Sequence, residues 1–378
     1  MDPTLALTQE LIRIPSVTPQ DHGCQEIIAR ELSKWGFRIT RLKFGKVENL
    51  YARIGQQGTH FCFAGHTDVV PSGDPALWQT PPFAAQVTDG VLIGRGASDM
   101  KGGVAAMITA AQRFLADHPH FPKHHSLSFL ITGDEEAEAI DGTQKVLQWM
   151  EENGEKIDYC LVGEPSCQLY LGDCIKIGRR GSINGQIVLH GMQGHAAYPH
   201  LAKNPIHLGF VPLLEIARLE LDQGDSHFQP SSLQFTGVAS GGLSNVIPAS
   251  LQAIFNIRFN TCHTPDSLEQ KIRSVLDQSQ IPYELTMTVS GLPFISEQGE
   301  LLAALIRVIE QNFGCTPQLS TGGGTSDARF IERYCHQTVE FGLVAQGIHK
   351  TDEGCPVEDP HRLSTLFKAL LEDIYALR

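Results

Sequence analysis

The sequence predicts an α/β protein: a doubly wound, mostly parallel sheet domain interrupted by an inserted ferredoxin-like βαββαβ domain. Three observations carry this. Continuous apolar runs of strand length alternate with helical patterns across residues 1–179 and 293–378, as expected for a parallel sheet covered on both faces. Across residues 180–292 the strands instead alternate polar with apolar, and their order is βαββαβ, the split βαβ arrangement. Several of the apolar runs stop abruptly at an acid or a histidine, most visibly in "FCFAGHTDVVPSG" from Phe61 to Gly73.

Taken in order, "PTLALTQELIRI" and "CQEIIARELSKWGF" carry apolar residues at helical spacing, the second breaking at Gly36. "YARIG" and "HFCFAGH" read as strands, and "GGVAAMITAAQRFLADH" as a helix whose small residues allow close packing. "SLSFLITGDEE" is a buried strand ending in acids, "GTQKVLQWMEEN" a helix, and "IDYCLVGEPS" another buried strand ending in an acid. The inserted domain follows with "SINGQIVLHG", the helix "NPIHLGFVPLLEIARLEL", strands "SSLQFTGVAS" and "SLQAIFNIRFN", the helix "DSLEQKIRSVLDQS" and the strand "PYELTMTVS". After "GLPF" the first pattern resumes with "ELLAALIRVIEQNFG", "QTVEFGLV" and the last helix "HRLSTLFKALLEDIYAL".

Composition narrows the function classes. A chain of 378 residues with 42% hydrophobic and 19% charged residues is long enough for two cores. The formal charge of −13 and the lack of a basic run argue against nucleic acid and acidic membrane surfaces as partners. No window reaches the roughly 18 apolar residues of a membrane span. The start "MDPTLALTQELIRIPSV" has an early acid and no basic segment before an apolar stretch. The nine cysteines are odd in number, scattered and without a C-x-x-C, as in a reduced cytoplasmic protein that uses cysteine as a small hydrophobe. A cytoplasmic location is therefore expected.

The chemistry lies at the strand ends. In an open α/β sheet, ligands bind beyond the carboxyl ends of the strands. Four segments place oxygen or imidazole ligands there: His66 and Asp68, Asp99 in "GRGASDMKGG", Glu135 and Glu136 in "ITGDEEAEAIDG", and Glu164 in "LVGEPS". A fifth, "VEFGLVAQGIHK", ends near His349. A single acid at a strand end is usually a helix cap or a solvated turn, but five such segments on one sheet form a pattern. Two histidines and three carboxylates can hold a pair of zinc ions if one carboxylate bridges. Asp68, two residues beyond His66, can hold the imidazole's other nitrogen. One of Glu135 and Glu136 can ligate while the other faces water as general base.

Together, "GHTDVVP", "GRGASDMKGG", "TGDEEAEAIDG", "VGEPS" and "GIHK" resemble the dizinc M20 metallopeptidase and deacylase family over nearly the whole chain. The resemblance implies a zinc-dependent amide hydrolase with two zinc ions per subunit, for which cobalt can substitute. It implies that His66 and Glu164 bind one metal, Glu136 and His349 the other, and that Asp99 bridges them with a cis peptide to Met100. Glu135 becomes the base and Asp68 the support of His66. The inserted domain becomes a lid and dimerisation domain of a homodimer. His195 would then stabilise the oxyanion in the partner's site, and Asn245 would contact substrate across the dimer.

Glu164, where aminopeptidase-like members tend to have Asp, resembles the deacylase and carboxypeptidase branch. "STGGGTSDARF" and "KIGRRGS" resemble members that release succinate from a small anionic N-succinyl amino acid. Such a substrate needs local cations and amides on a chain of charge −13. Arg179, Arg258, Gly324, Thr325 and Ser326 are the expected contacts, whereas Arg180 and Arg329 read as surface or salt-bridge residues. The chain departs from that pattern at Ala345, where such members commonly have Asn. Another deacylase of the family, a deacetylase or an aminoacylase, is the nearest alternative. A non-catalytic amino-acid or peptide binder is the alternative from another class, although a binder has no use for a general base.

Overall fold

The computed structural model describes residues 2–296 and 298–377. It divides into two compact units, the first comprising Met1–Ile177, Ser296–Ser320 and Ser326–Arg378, the second Gly178–Ile295 and Thr321–Thr325.

The first unit opens with α1 (Pro3–Ile12) and α2 (Cys24–Ser33). Asp2 caps α1 by accepting from the amides of Thr4 and Leu5, and Pro3 occupies the first turn, where no amide is needed. There follow β1 (Arg38–Phe44), β2 (Val47–Ile54), β3 (His60–His66), β4 (Gln86–Thr88), β5 (Val91–Ile93), α3 (Gly102–Asp117), β6 (Ser126–Thr132), α4 (Thr143–Glu152), β7 (Ile157–Val162) and β8 (Cys174–Lys176). The chain then runs through the second unit with β9 (Gly178–Arg179), β10 (Gly181–His190), β11 (Gly194–His195), α5 (Pro205–Ala217), β12 (Ser232–Ser240), β13 (Val246–Ile247), β14 (Ser250–Phe259), α6 (Pro265–Gln278), β15 (Tyr283–Gly291) and β16 (Phe294–Ile295). It returns to the first with α7 (Glu300–Phe313), β17 (Gln318–Ser320), α8 (Ala328–Ile331), β18 (Cys335–Glu340), β19 (Gly354–Pro356) and α9 (Asp359–Ile374).

The main sheet has the order β1-β2-β6-β3-β7-β18-β8-β17. Its centre, β6-β3-β7-β18, is parallel throughout, as the apolar runs predict. Every residue of β3 and β6 is buried, so both faces of the sheet are covered there. Helix α3 packs on α1 and α9, and α4 packs on β6 and β2. All nine cysteines are free, and most are buried. The sequence reading missed β1 and the antiparallel β1–β2 pairing. β1 is an edge strand with no fully buried residue, so it has no apolar run to announce it.

The second unit holds a four-stranded antiparallel sheet in the order β12-β14-β10-β15, the ferredoxin-like topology expected from the βαββαβ order. Leu268, Ile272 and Leu276 repeat every fourth residue on α6 and are buried with Ile183 and Ile187 of β10 and Phe255 of β14. Each such side chain contributes about 1.5–3 kcal/mol on burial. Thr264 and Ser267 close a reciprocal capping box at the start of α6. Among the described residues no helix is long and apolar enough to cross a membrane.

Candidate metal centre

Three neighbouring parallel strands end within two residues of one another. His66 closes β3 opposite Thr132, the last residue of β6, and Ala64 lies opposite Val162, the last of β7. Polar side chains begin where these strands leave the core: Asp134, Glu135 and Glu136 follow β6, and Glu164 follows β7. Asp99 reaches the same edge from the turn between β5 and α3, where its peptide bond to Met100 is cis. That turn sits hard against the strands. A Cβ on Gly65 would lie 2.5 Å from Met100 Cε, and one on Gly103 would lie 2.5 Å from the Gly163 oxygen. His349 arrives on a loop beyond β18, in the left-handed region at φ 61°.

His66 Nδ1 lies 2.9 Å from the main-chain oxygen of Asp68. A carbonyl only accepts, so Nδ1 carries the proton and Nε2 of the neutral ring carries a lone pair. That lone pair faces Asp99 Oδ1 at 3.3 Å and Glu164 Oε1 at 3.5 Å. His66 Nε2 and Asp99 Oδ1 are buried and have no hydrogen-bond partner. Acceptors that face one another in the interior repel unless a metal ion or a proton lies between them. Burial works against a proton on His66, but Asp99 and Glu164 hold its pKa well above the usual value. The other Asp99 oxygen, Oδ2, lies 3.2 Å from His349 Nε2, which in turn lies 3.0 Å from Glu136 Oε1. Asp99 therefore divides its two oxygens between two histidines. Ligand atoms of His66, Glu135 and Glu164, and those of His66, Asp99 and Glu136, lie within 4.8 Å of one another. Imidazole nitrogen with carboxylate oxygen is a donor set suited to zinc.

The electrostatics agree. Burial, then the charge of Glu164, pushes the Glu135 carboxyl well above the usual range. Burial likewise raises Glu164 to about 7, against the opposing pull of His66. For Asp99, burial works upward, but His349 and His66 outweigh it and hold the carboxyl below its ordinary value. His349 is drawn up to about 10 by Asp99 first and Glu136 second. A pocket that crowds carboxylates until they retain protons is one that gains by binding cations.

Asp68 meets His66 Nδ1 most closely through its main-chain oxygen, where the sequence suggests its side chain. Its carboxylate lies 3.6 Å from His66 Nδ1 and accepts instead from the amides of Glu136, at 3.1 Å, and Glu135, at 3.3 Å. Ser326, expected at the substrate, turns its hydroxyl inward to Glu340 Oε1 at 2.5 Å. Arg329, read from sequence as a surface or salt-bridge residue, is not at the surface: its side chain is only 9% exposed, with Nη1 3.9 Å from Glu135 Oε1. An arginine two residues past an aspartate in a glycine-rich loop carries no signal of such burial. Ala345 donates its amide to the Cys167 oxygen and offers no polar side chain.

Within the second unit, Arg179 is buried, and its Nη1 donates to the oxygens of Gly324, at 3.1 Å, and Gly322, at 3.3 Å. Thr325 groups with the same unit. Arg258 lies on β14 opposite Ser182 and Ser232. His195 and Asn245 are exposed neighbours: the Ala196 amide donates to the Asn245 oxygen. The Ala197 amide donates to His195 Nδ1 at 3.0 Å, which leaves Nε2 as the nitrogen that carries hydrogen.

Comparison with known proteins adds three findings. The model of peptidase family M20/M25/M40 matches residues 62–373. Succinyl-diaminopimelate desuccinylase of Magnetococcus marinus is 58% identical over 376 residues, covering 99% of both chains. That of Rhodospirillum centenum is 50% identical over 378 residues, covering 98% of this chain and 97% of its own. Among solved structures, an M20 family metallo-carboxypeptidase from Sulfolobus solfataricus superposes with a TM-score of 0.81 at 17% identity over 100% of both chains. The Bacillus subtilis YXEP protein, described as a dinuclear metal binding peptidase from the M20 family, gives 0.74 at 16% identity over 99% of this chain and 97% of its own. At those identities the solved structures speak to the fold alone.

Proposed function

The chain belongs to peptidase family M20/M25/M40, and from that premise we propose that it is a zinc-dependent amide hydrolase. Its substrate is N-succinyl-LL-2,6-diaminopimelate, cleaved to succinate and LL-2,6-diaminopimelate, a step of lysine and diaminopimelate biosynthesis in the cytoplasm. The single observation that carries the metal reading is the division of Asp99 between His66 and His349. The full-length relatives at up to 58% identity support the substrate.

In this reading residues 1–179 and 293–378 form the catalytic domain, and 180–292 the lid and dimerisation domain. His66 and Glu164 would hold one zinc, Glu136 and His349 the other, with Asp99 shared; cobalt suits the same donors. When bound, the metals supply Lewis acidity, which lowers the pKa of water and polarises the amide carbonyl.

The side chains do the remainder. Glu135, its carboxyl raised by burial, accepts a proton from the attacking water and returns it to the nitrogen of the departing amine. The water oxygen bonds to the succinyl carbonyl carbon, and the C–N bond breaks. His195, with hydrogen on Nε2, donates to the oxyanion from the partner subunit of a homodimer. Asn245, its neighbour, acts beside it. Exposed Leu208, Phe210, Val211 and Leu214 on α5 support dimerisation through the second unit. Arg179, Arg258, Gly324 and Thr325 receive the substrate's carboxylates.

The test is a panel of N-acyl amino acids offered to the zinc-loaded protein. Selective hydrolysis of the succinyl-diaminopimelate is expected. Preference for N-acetylornithine or a simple N-acyl amino acid would move the substrate elsewhere in the family, and Ala345 is the first position to revisit.

A further inference from the structure

Two buried residues outside the ligand set tie its segments together. Arg95 lies in the turn after β5, and Glu353 precedes β19; both are almost fully buried. Glu353 Oε2 accepts from Arg95 Nη1 at 2.7 Å. Its other oxygen, Oε1, accepts from the amides of Ser98, at 3.1 Å, and Asp99, at 3.0 Å. The same Arg95 Nη1 donates to the oxygen of Lys350, the residue after His349, at 3.2 Å. Nη2 reaches the Pro71 oxygen, on the loop that follows His66 and Asp68, at 3.4 Å. The guanidinium also lies over the Trp78 ring, 5.2 Å from its centroid. One planar fork therefore touches, directly or through Glu353, the chain segments that carry His66, Asp99 and His349.

A purely stabilising role accounts poorly for this arrangement. A buried ion pair adds little net stability over apolar residues of similar volume. Nor does stability require that the second carboxylate oxygen meet the amide of Asp99 itself. His349 is about half exposed and stands at positive φ, so its place depends on how its loop is held rather than on side-chain packing.

We propose that Arg95 and Glu353 are a positioning pair that fixes Asp99 relative to His349 and thereby sets the affinity for the metal that His349 holds. The proposal rests on the metal-centre reading above. Its test is zinc binding to metal-free protein, followed by competition with a chromophoric chelator, in the wild type, Arg95→Lys and Glu353→Gln. One of two binding steps is expected to weaken about 10- to 100-fold in each variant, with kcat recovered when zinc is raised. Two steps of wild-type affinity in both variants overturn the proposal, whatever the change in melting temperature. Should the variants not fold, amide exchange in metal-free wild type decides: Ser98 and Asp99 protected before zinc is added supports the pair, and exchange at open-loop rates refutes it. A wild type that takes up no zinc counts against the metal centre, and the exchange result still judges the pair.

Discussion

The imidazole of His66 is oriented by the peptide of Asp68, not by its carboxylate: Nδ1 is 2.9 Å from the main-chain oxygen and 3.6 Å from Oδ1. The carboxylate is left to hold the amides of Glu135 and Glu136, the expected base and an expected ligand. One residue thus sets the tautomer of an expected ligand through its backbone and the path of an acidic loop through its side chain.

Asp68→Ala should therefore keep the His66 tautomer but loosen the Glu135–Glu136 turn. Activity is expected to fall about 10- to 100-fold while zinc at the His66 end stays bound. Measured kcat and zinc per chain check this. Full activity in the variant would mean that the acidic loop holds itself.

Glu135→Gln removes the proposed base and keeps the shape. A fall in kcat of roughly 10²–10⁴ is expected, with zinc content unchanged. Near-normal kcat would assign the proton transfer elsewhere, Glu136 being the nearest candidate.

Much of this site stands in the sequence because the core announces it. β3 and β6 are wholly buried, so the polar residues at the end of each run mark the sheet edge, and His66 and the acids from Asp134 to Glu136 are visible there. Asp99 and His349, read from the sequence as strand-end ligands like the others, lie instead on the turn between β5 and α3 and on the loop beyond β18. What the sequence hides is which atom does the work. The spacing of His66 and Asp68 is the same whether the carbonyl or the carboxylate meets the ring. Arg95 and Glu353 meet across 258 positions with no local pattern at either end. Ser326 reads as a substrate-facing hydroxyl in a glycine-rich loop until Glu340 on β18 is placed behind it.

His195 should act in trans. Mixing His195→Ala with Glu135→Gln subunits should create hybrid dimers in which one site has both groups. With random exchange about a quarter of wild-type activity returns, since half the dimers are hybrids with one complete site each in a two-fold assembly. Steady-state assay after subunit exchange measures it. No recovery in confirmed hybrids would place His195 in its own subunit's site.

His60 gives a pH signature remote from catalysis. Its Nε2 pairs with Ser128 Oγ at 2.8 Å and its Nδ1 with the Lys156 oxygen, and burial pulls its pKa from 6.5 to about 4. Between those values the unfolded chain binds the extra proton. Stability is therefore complete above pH 6.5 and declines as pH falls toward 4, by about 3 kcal/mol over the window. In metal-free protein, His60→Gln should flatten the fall in melting temperature between pH 6.5 and 4. A parallel fall in wild type and variant would show that His60 is not the group responsible.

The central claim is that Asp99 lies between two metals, and anomalous diffraction at the zinc edge from zinc-loaded crystals addresses it directly. Two peaks about 3.5–4 Å apart are expected, one between His66 and Glu164, the other between Glu136 and His349, each within bonding distance of a different Asp99 oxygen. A single peak, or two peaks of which only one touches Asp99, would contradict the account.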